Sequence, residues 1–465
     1  MSWPRAVALL SLLLPALAWP SAFEIEARTE AQVSSWRAWR GGGPSDFTIL
    51  PRRRLVQYLG LDAFELVTGQ PIGFESSLRV FADWGLPRGE ASRLDGARSE
   101  DADLMYANAY YRSNSLSVRL GRQTYVDLMD IASFDGAHVK YVHPFSFGGI
   151  GAEAYAGLWV KASSPLGSSV YQPDGIRESD LRRVAAETAP PYAALDDIEP
   201  LFGAKLLMEN VKGVSAAAGF RQSWLSGKTD VQRFSVEAKY GRGRGINAVG
   251  GLEYDLVTSR VSNARLQGRF DASEFAVTGE FLHVTPTLSA DSIFLYFVGG
   301  AHDGVRARVD YFPSGWFRFY GQLTTDFYAT PINSSLGTAD EVKNASSPIA
   351  IGGSFGTGAR LPASLKAGAD LTFKTGYGGR QVWFDLSGGW AREGLPFTLD
   401  ARISWVHVAD ALNNRLVGGF FGAQLWGSYF LGKNVRASVM VEENVSKYSN
   451  SDFKVFAVLD WKVLL

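Results

Sequence analysis

The regular alternation of apolar and polar residues constrains this chain more than any other feature of its sequence. In DGVRARVDYF, residues 303–312, Val305 and Val309 occupy one set of alternate positions and Arg306 and Arg308 the other. Successive side chains of a β-strand point to opposite faces, so this period predicts strands with one apolar and one charged face. The same pattern recurs in FESSLRVFADW (74–84), RFSVEAKY (233–240), NARLQGRF (263–270), FTLDARISW (397–405) and NVRASVMVEEN (434–444). The sequence therefore predicts an all-β protein.

Three features favour a transmembrane antiparallel β-barrel over a secreted sandwich, propeller or β-helix. The predicted strands are about 10 to 14 residues long, which suits a tilted membrane crossing better than the usual soluble strand. No self-similar repeat of about 20 to 50 residues is present, as a propeller or solenoid would require. Nearly every strand has one uniformly apolar face, which we expect to contact the lipid of a bacterial outer membrane.

Short turns and longer connections divide the chain into 22 predicted strands, and 18–22 is the range that the boundaries allow. Turn residues occur at 112–115, 210–213, 241–245, 271–274, 312–315, 360–364, 393–396 and 431–434. Longer connections are predicted at 85–101, 124–132, 162–199, 326–347 and 409–415. Short turns at one end and long loops at the other are typical of outer-membrane barrels, with the turns in the periplasm. An even strand number predicts that both termini are periplasmic.

The N-terminus predicts export. Arg5 precedes a short apolar run, and Ala16 and Ala18 form the small-residue pattern that a signal peptidase accepts. We interpret residues 1–18 as a signal peptide, with Ala22 as an alternative cleavage position. Residues 23–465 then form a single outer-membrane β-barrel domain. Its long loop, 162–199, is predicted either to lie on the surface or to fold inward and constrict the lumen.

The charges of the polar faces suggest a water-filled lumen. Lys and Arg number 46 and Asp and Glu 47, so no bulk charge points to a nucleic-acid partner. We predict eight pore-lining residues: Arg265, Arg269, Arg306, Arg308, Arg318, Arg402, Glu237 and Asp400. The first five lie on strands that are near each other in sequence, and as one patch they would favour anions. The alternative is mutual ion pairing that stiffens the barrel wall.

No catalytic, cofactor or metal site is predicted. His138 and His143 are spaced so that the sequence does not place them on one face, and the chain has no cysteine. The segment HDG, residues 302–304, can be drawn as an Asp–His pair for hydrolysis, as in barrel enzymes of the cell surface. A bulge or bend in the strand is the preferred explanation of that glycine, and no convergent serine is evident. We therefore expect a protein that is not an enzyme and needs no cofactor.

Residues 116–144 carry two short motifs, GRQ and FDG, separated by a predicted loop. The motif residues are Gly121, Arg122, Gln123, Phe134, Asp135 and Gly136. In this respect the segment resembles the alginate-export-like outer-membrane barrels. That resemblance implies a barrel of about 18 strands that passes a polysaccharide or, in related proteins, small solutes. The arginine-rich elaboration between the motifs is missing, because 124–132 contains two acids and no base. This departure argues against a strongly anionic, alginate-like substrate.

These patterns predict a channel in the bacterial outer membrane for passive diffusion or export of hydrophilic solutes. The solute would be an anionic small molecule or a polysaccharide, and an exported polymer would arrive from periplasmic export-machinery components. The alternative is a structural or interaction barrel of a motility or adhesion complex, with a closed lumen.

Overall fold

The computed structural model describes most of the chain after residue 21. The described residues are 22–39, 47–84, 100–160, 199–225, 227–241, 245–285, 301–329, 348–377, 379–409, 417–446 and 449–464. The predicted signal peptide (1–18) and nearly all of the predicted loop 162–199 lie outside them.

The described residues form 22 β-strands and one short 3-10 turn, Pro362–Ser364. The strands are β1 (Ala22–Trp39), β2 (Phe47–Phe64), β3 (Ile72–Asp83), β4 (Glu100–Arg112), β5 (Leu116–Asp127), β6 (Asp130–Phe145), β7 (Gly148–Trp159), β8 (Pro200–Val211), β9 (Val214–Leu225), β10 (Lys228–Gly241), β11 (Ile246–Asp255), β12 (Arg260–Asp271), β13 (Phe275–Val284), β14 (His302–Ser314), β15 (Phe317–Tyr328), β16 (Ile349–Leu361), β17 (Leu365–Gly376), β18 (Gly379–Ala391), β19 (Phe397–Ala409), β20 (Gly418–Phe430), β21 (Val435–Ser446) and β22 (Ser449–Leu464). Among the described residues, no helix is long and apolar enough to cross a bilayer.

The strands form one closed antiparallel barrel. Each strand pairs with the next in the chain, and β22 pairs back onto β1 between the opposed pairs Glu24–Leu464 and Val33–Val455. Closure satisfies both edges of the sheet, which an open sheet leaves unpaired. The predicted fold class and the count of 22 strands are confirmed. Both described ends of the chain lie at the end of the barrel that carries the short turns, whose periplasmic location stays a prediction.

Two local predictions are wrong. The segment 124–132 is not a long connection: β5 continues to Asp127 and β6 begins at Asp130, so only Leu128 and Met129 join them. Their pairing is regular to the last residue, because Asp127 lies opposite Asp130. Gly304 does not mark a bulge either, since its pairing with β13 and β15 continues without a shift in register.

The outer surface of the barrel is apolar on strand after strand. On β14, Val305 and Val309 are about half exposed, whereas Asp310 on the opposite face is buried. The same alternation exposes Phe234 and Val236 on β10. Water would disfavour so large an apolar surface, and a bilayer would not. The apolar belt is therefore the lipid-facing surface of a membrane barrel, and the charged faces turn inward.

Candidate pore and lumen wall

All eight predicted pore-lining residues lie on the inward-facing register of their strands. Their immediate neighbours in sequence, among them Leu266, Val305, Phe317 and Ile403, belong to the exposed outer belt. Their contribution to conduction stays a prediction, but the structure determines which of them lie together.

Four of the predicted arginines share two carboxylates. Arg265 Nε lies 2.9 Å from Glu280 Oε1, and Arg306 Nη1 lies 3.7 Å from Glu280 Oε2. The strand β13 that carries Glu280 lies between the strands of these two arginines, so the carboxylate bridges them. The sequence could not indicate this sharing, because it depends on the register of three strands.

Asp310 holds the second pair of arginines. Its Oδ1 lies 2.9 Å from Arg308 Nη2 and 2.7 Å from Arg318 Nη2. The carboxylate is only 2% exposed, whereas the Arg318 side chain is 52% exposed. The negative charge is thus buried against the wall, and the guanidinium group extends toward the lumen.

The fifth arginine of the patch has its own partner, with Arg269 Nη2 lying 2.7 Å from Asp271 Oδ1. Five guanidinium groups thus pair with three carboxylates, which leaves an excess of two positive charges among these eight residues. We call these five arginines and three acids the arginine patch.

The other three predicted residues lie outside this patch. Glu237 accepts a 3.1 Å hydrogen bond from Lys205 on β8, two strands away, and Arg402 pairs with Asp385 at 2.9 Å. Asp400 lines a cavity of about 360 Å³ together with Arg318. Asp400 therefore shares a cavity with a residue of the arginine patch.

The end of the β5–β6 hairpin, Asp127 to Asp130, leans into the barrel. Asp127 Oδ1 lies 2.9 Å from Nη2 of Arg221 on β9, and both side chains are 1% exposed. Arg233 on β10 donates a 2.8 Å hydrogen bond to the Met129 carbonyl oxygen. Because β9 and β10 are four and five strands from β5, only an inward bend can bring these groups together. We call this segment the inward hairpin.

Glycines on the opposing wall make room for the inward hairpin. A Cβ atom at Gly251 of β11 would lie 2.9 Å from Leu128 Cδ2, and one at Gly219 of β9 would lie 3.3 Å from Met129 Cε. Both glycines are on the inward register, so Leu128 and Met129 pack directly on the lumen wall. The inward hairpin thus thickens the β8–β11 side of the barrel and narrows the lumen there.

A buried polar network continues beneath the inward hairpin. Arg221 Nε donates a 2.8 Å hydrogen bond to Tyr155 Oη, and His138 Nε2 lies 2.5 Å from Glu153 Oε1. Buried charges of this kind require partners, because they are removed from water. This side of the lumen is therefore filled by side chains that hydrogen-bond to each other.

The two sequence motifs are the two sides of one cross-strand unit. The six motif residues form three directly opposed pairs on β5 and β6: Gly121–Gly136, Arg122–Asp135 and Gln123–Phe134. Arg122 Nε and Nη2 donate to the two carboxylate oxygens of Asp135 at 2.7 and 2.8 Å. A Cβ atom at Gly136 would lie 2.1 Å from the Ala156 carbonyl oxygen, so this position requires glycine.

The Arg122–Asp135 pair lies on the outer face of the barrel. Leu120 and Val126, on the same register of β5, are 56% and 66% exposed and belong to the apolar belt. Gln123 and Phe134 lie on the inner face, where Phe134 packs in a small core with Tyr155. The arginine of the GRQ motif is therefore a wall residue and does not line the lumen.

Comparisons with known proteins agree on the fold. No model of a protein family matches the sequence, and no curated protein resembles it in sequence. The ferric enterobactin receptor PfeA of Pseudomonas aeruginosa is similar in structure over 96% of this chain and 81% of its own, with 10% identity and a TM-score of 0.54. The siderophore receptor PirA of Pseudomonas aeruginosa gives the same coverage and identity with a TM-score of 0.50.

The outer membrane protein opdK of Pseudomonas aeruginosa is matched over 96% of this chain and 100% of its own, with 10% identity and a TM-score of 0.39. At identities this low, structural similarity shows a shared fold and nothing more. Together with the apolar belt, the likeness to PfeA and PirA makes this chain a barrel of the bacterial outer-membrane type. The comparisons do not identify the alginate-export-like family.

Proposed function

We propose that this barrel is an outer-membrane channel through which hydrophilic solutes pass by diffusion, with a preference for anions. The observation that carries the proposal is the arrangement of charge in the arginine patch: Glu280 and Asp310 lie in the wall, and the side chains of their arginines are more exposed to the lumen. Arg318 extends over the buried Asp310, and Arg265 and Arg306 share Glu280, whose side chain is mostly buried. Fixed charge at the lumen surface selects permeating ions by sign. Proton-transfer or redox chemistry is not required for this function.

A finer proposal concerns the solute. The paired GRQ and FDG motifs support membership of the alginate-export-like barrels and hence export of a polysaccharide supplied by periplasmic partners. The inward hairpin carries no arginine at its tip, which favours a weakly charged chain or a small anion over a polymer as acidic as alginate.

The test is single-channel conductance of the refolded chain in planar bilayers, with the zero-current potential measured in a KCl gradient. The proposal predicts steady conductance steps and a potential of the sign expected for chloride preference. Changing Arg265, Arg306 and Arg318 together to Gln would leave two arginines against three carboxylates in the patch. Glu280 loses both of its arginines, whereas Asp310 keeps Arg308. We expect this variant to lose the chloride preference or reverse it.

Arg402→Gln is the matched control, because Arg402 is an inward arginine with its own carboxylate, outside the patch. It should change the zero-current potential much less than the triple variant. An effect of Arg402→Gln as large as one third of the triple variant's, that is, equal for each charge removed, would show that total lumen charge, and not the patch, determines selectivity.

The second candidate function is a structural or interaction barrel with a closed lumen. The buried ion pairs and hydrogen bonds on the β5–β11 side of the wall favour this candidate. A correctly folded wild-type protein that conducts no ions would support this candidate and overturn the channel.

A further inference from the structure

A hydroxyl, an imidazole and a carboxylate form a hydrogen-bonded series where β13 ends and β14 begins. His283 and Asp303 lie directly opposite each other in the two strands, and Thr285 follows His283 by two positions. The HDG segment thus does contain half of an Asp–His pair, but its partner is His283 and not the adjacent His302. The sequence separates these partners by 20 residues, so only the strand register reveals them.

The distances assign a role to each group. His283 Nδ1 lies 2.7 Å from Asp303 Oδ1, and His283 Nε2 lies 3.2 Å from Thr285 Oγ1. In the neutral imidazole, donation of the Nδ1 proton to the carboxylate leaves Nε2 as an acceptor for the Thr285 hydroxyl. The Val261 carbonyl oxygen, 3.3 Å from Nε2, would stabilise the imidazolium that forms when Nε2 takes a proton. This is the arrangement of an activated nucleophile, its base and the group that orients the base.

The position of the series indicates which compounds could reach it. Phe281 and Val305 are the preceding and following outward residues of the same two strands, and both are exposed members of the apolar belt. His283 and Asp303 are 30% and 50% exposed at the edge of that belt. A molecule whose chains lie against the belt would present its polar linkages at this level. An acyl ester of a membrane lipid fits this description.

We propose that Thr285, His283 and Asp303 form a hydrolytic site for acyl esters of membrane lipids, an activity separate from the channel. Thr285 Oγ attacks the ester carbonyl carbon while its proton passes to His283 Nε2. The carbon–oxygen bond to the alcohol breaks, and Nε2 returns the proton to the departing alcohol. Water then attacks the acyl-threonine, again with His283 as the base, and releases the carboxylic acid and free Thr285.

The threonine itself provides a sharp test. Its additional methyl group crowds the attacking oxygen, and serine supplies the same hydroxyl without that group. General-base activation by a positioned side chain contributes about 10²–10⁴-fold, so we expect a slow esterase. Thr285→Ser should be faster than the wild type, and Thr285→Ala should be inactive.

The experiment uses the full chain, refolded in detergent micelles, with a fluorogenic long-chain acyl ester and with a fluorophosphonate that labels activated hydroxyl groups. We expect hydrolysis and labelling of Thr285 in the wild type, and loss of both in Thr285→Ala and His283→Ala. Asp303→Asn should reduce both strongly, because the amide lacks the negative charge that stabilises the imidazolium and can itself donate to Nδ1, which favours the wrong tautomer. Migration of the unheated barrel in gels checks that each variant is folded.

His302→Ala is the matched control, because it removes the neighbouring histidine and leaves the series intact. It should hydrolyse the ester as the wild type does. The proposal is overturned if Thr285→Ser and the wild type neither hydrolyse the ester nor react with the fluorophosphonate, or if Thr285→Ala retains wild-type hydrolysis. Neither result bears on conductance, so the channel is tested independently.

Discussion

At the scale of single residues, the same chemical pair has different consequences on the two faces of the wall. Asp310 and its two arginines lie inside, where the Arg318 side chain is about half exposed to the lumen. Arg122 and Asp135 lie outside, between exposed apolar residues, where each charge depends on the other for compensation. A charge on the lipid face of a barrel is destabilising unless it is paired.

Arg122→Met therefore should destabilise the barrel, because it leaves the Asp135 carboxylate on the lipid face without its bidentate partner. The expected loss is about 1–3 kcal/mol of unfolding free energy, the cost of an unsatisfied polar group. Urea unfolding of the refolded protein measures it. The double variant Arg122→Met with Asp135→Leu should recover most of the loss, and a double variant as unstable as the single one would contradict this explanation.

At the scale of elements, the inward hairpin shows how a two-residue connection can shape a lumen. Asp127 and Arg221 are both buried, and removing one partner of such a pair typically costs about 3–5 kcal/mol. With Leu128 and Met129 packed on the glycines of the facing wall, the hairpin has contacts along its whole tip. We therefore regard it as a fixed constriction and not as a moving gate.

A crosslink tests this rigidity. The chain has no cysteine, so Leu128→Cys with Gly251→Cys introduces one unique pair, joined by oxidation or by a short bifunctional maleimide. We expect the joined and reduced proteins to have equal single-channel conductance. Asp127→Asn alone should release the hairpin and alter the conductance. Closing or widening of the pore by the crosslink itself would identify the hairpin as mobile.

At the scale of the whole molecule, closure of the barrel does not depend on the long connections. Trp159 N donates a 2.8 Å hydrogen bond to the Glu199 carbonyl oxygen, and Leu158 lies opposite Pro200. The two ends of the segment between β7 and β8 are thus already held together by strand pairing. Shortening a loop changes the closure free energy only slightly, by about 0.6 kcal/mol for each halving.

Replacing residues 163–197 by a short glycine–serine linker should therefore leave a folded barrel. We expect the conductance to stay unchanged, because the inward hairpin already narrows the lumen. Gel migration of the unheated protein and single-channel recording measure the two outcomes. A large rise in conductance would show that this segment folds into the lumen, the alternative that the sequence leaves open.

The sequence by itself determined the architecture and the two faces of each strand. Both follow from a local period of two, as in the alternation of apolar and charged residues around Val305 and Arg306. The count of 22 strands followed from turn residues that need unusual backbone angles. The same local rules failed at 124–132, where they predict a longer connection and the strands continue.

Only the tertiary structure decided which residues act together. The sharing of Asp310 by two arginines, and the meeting of His283 with Asp303, depend on register between strands, which the period does not specify. The contact of Asp127 with Arg221 depends in addition on an inward bend across several strands. Local patterns determine where a side chain points, and the closure of the barrel determines what it meets.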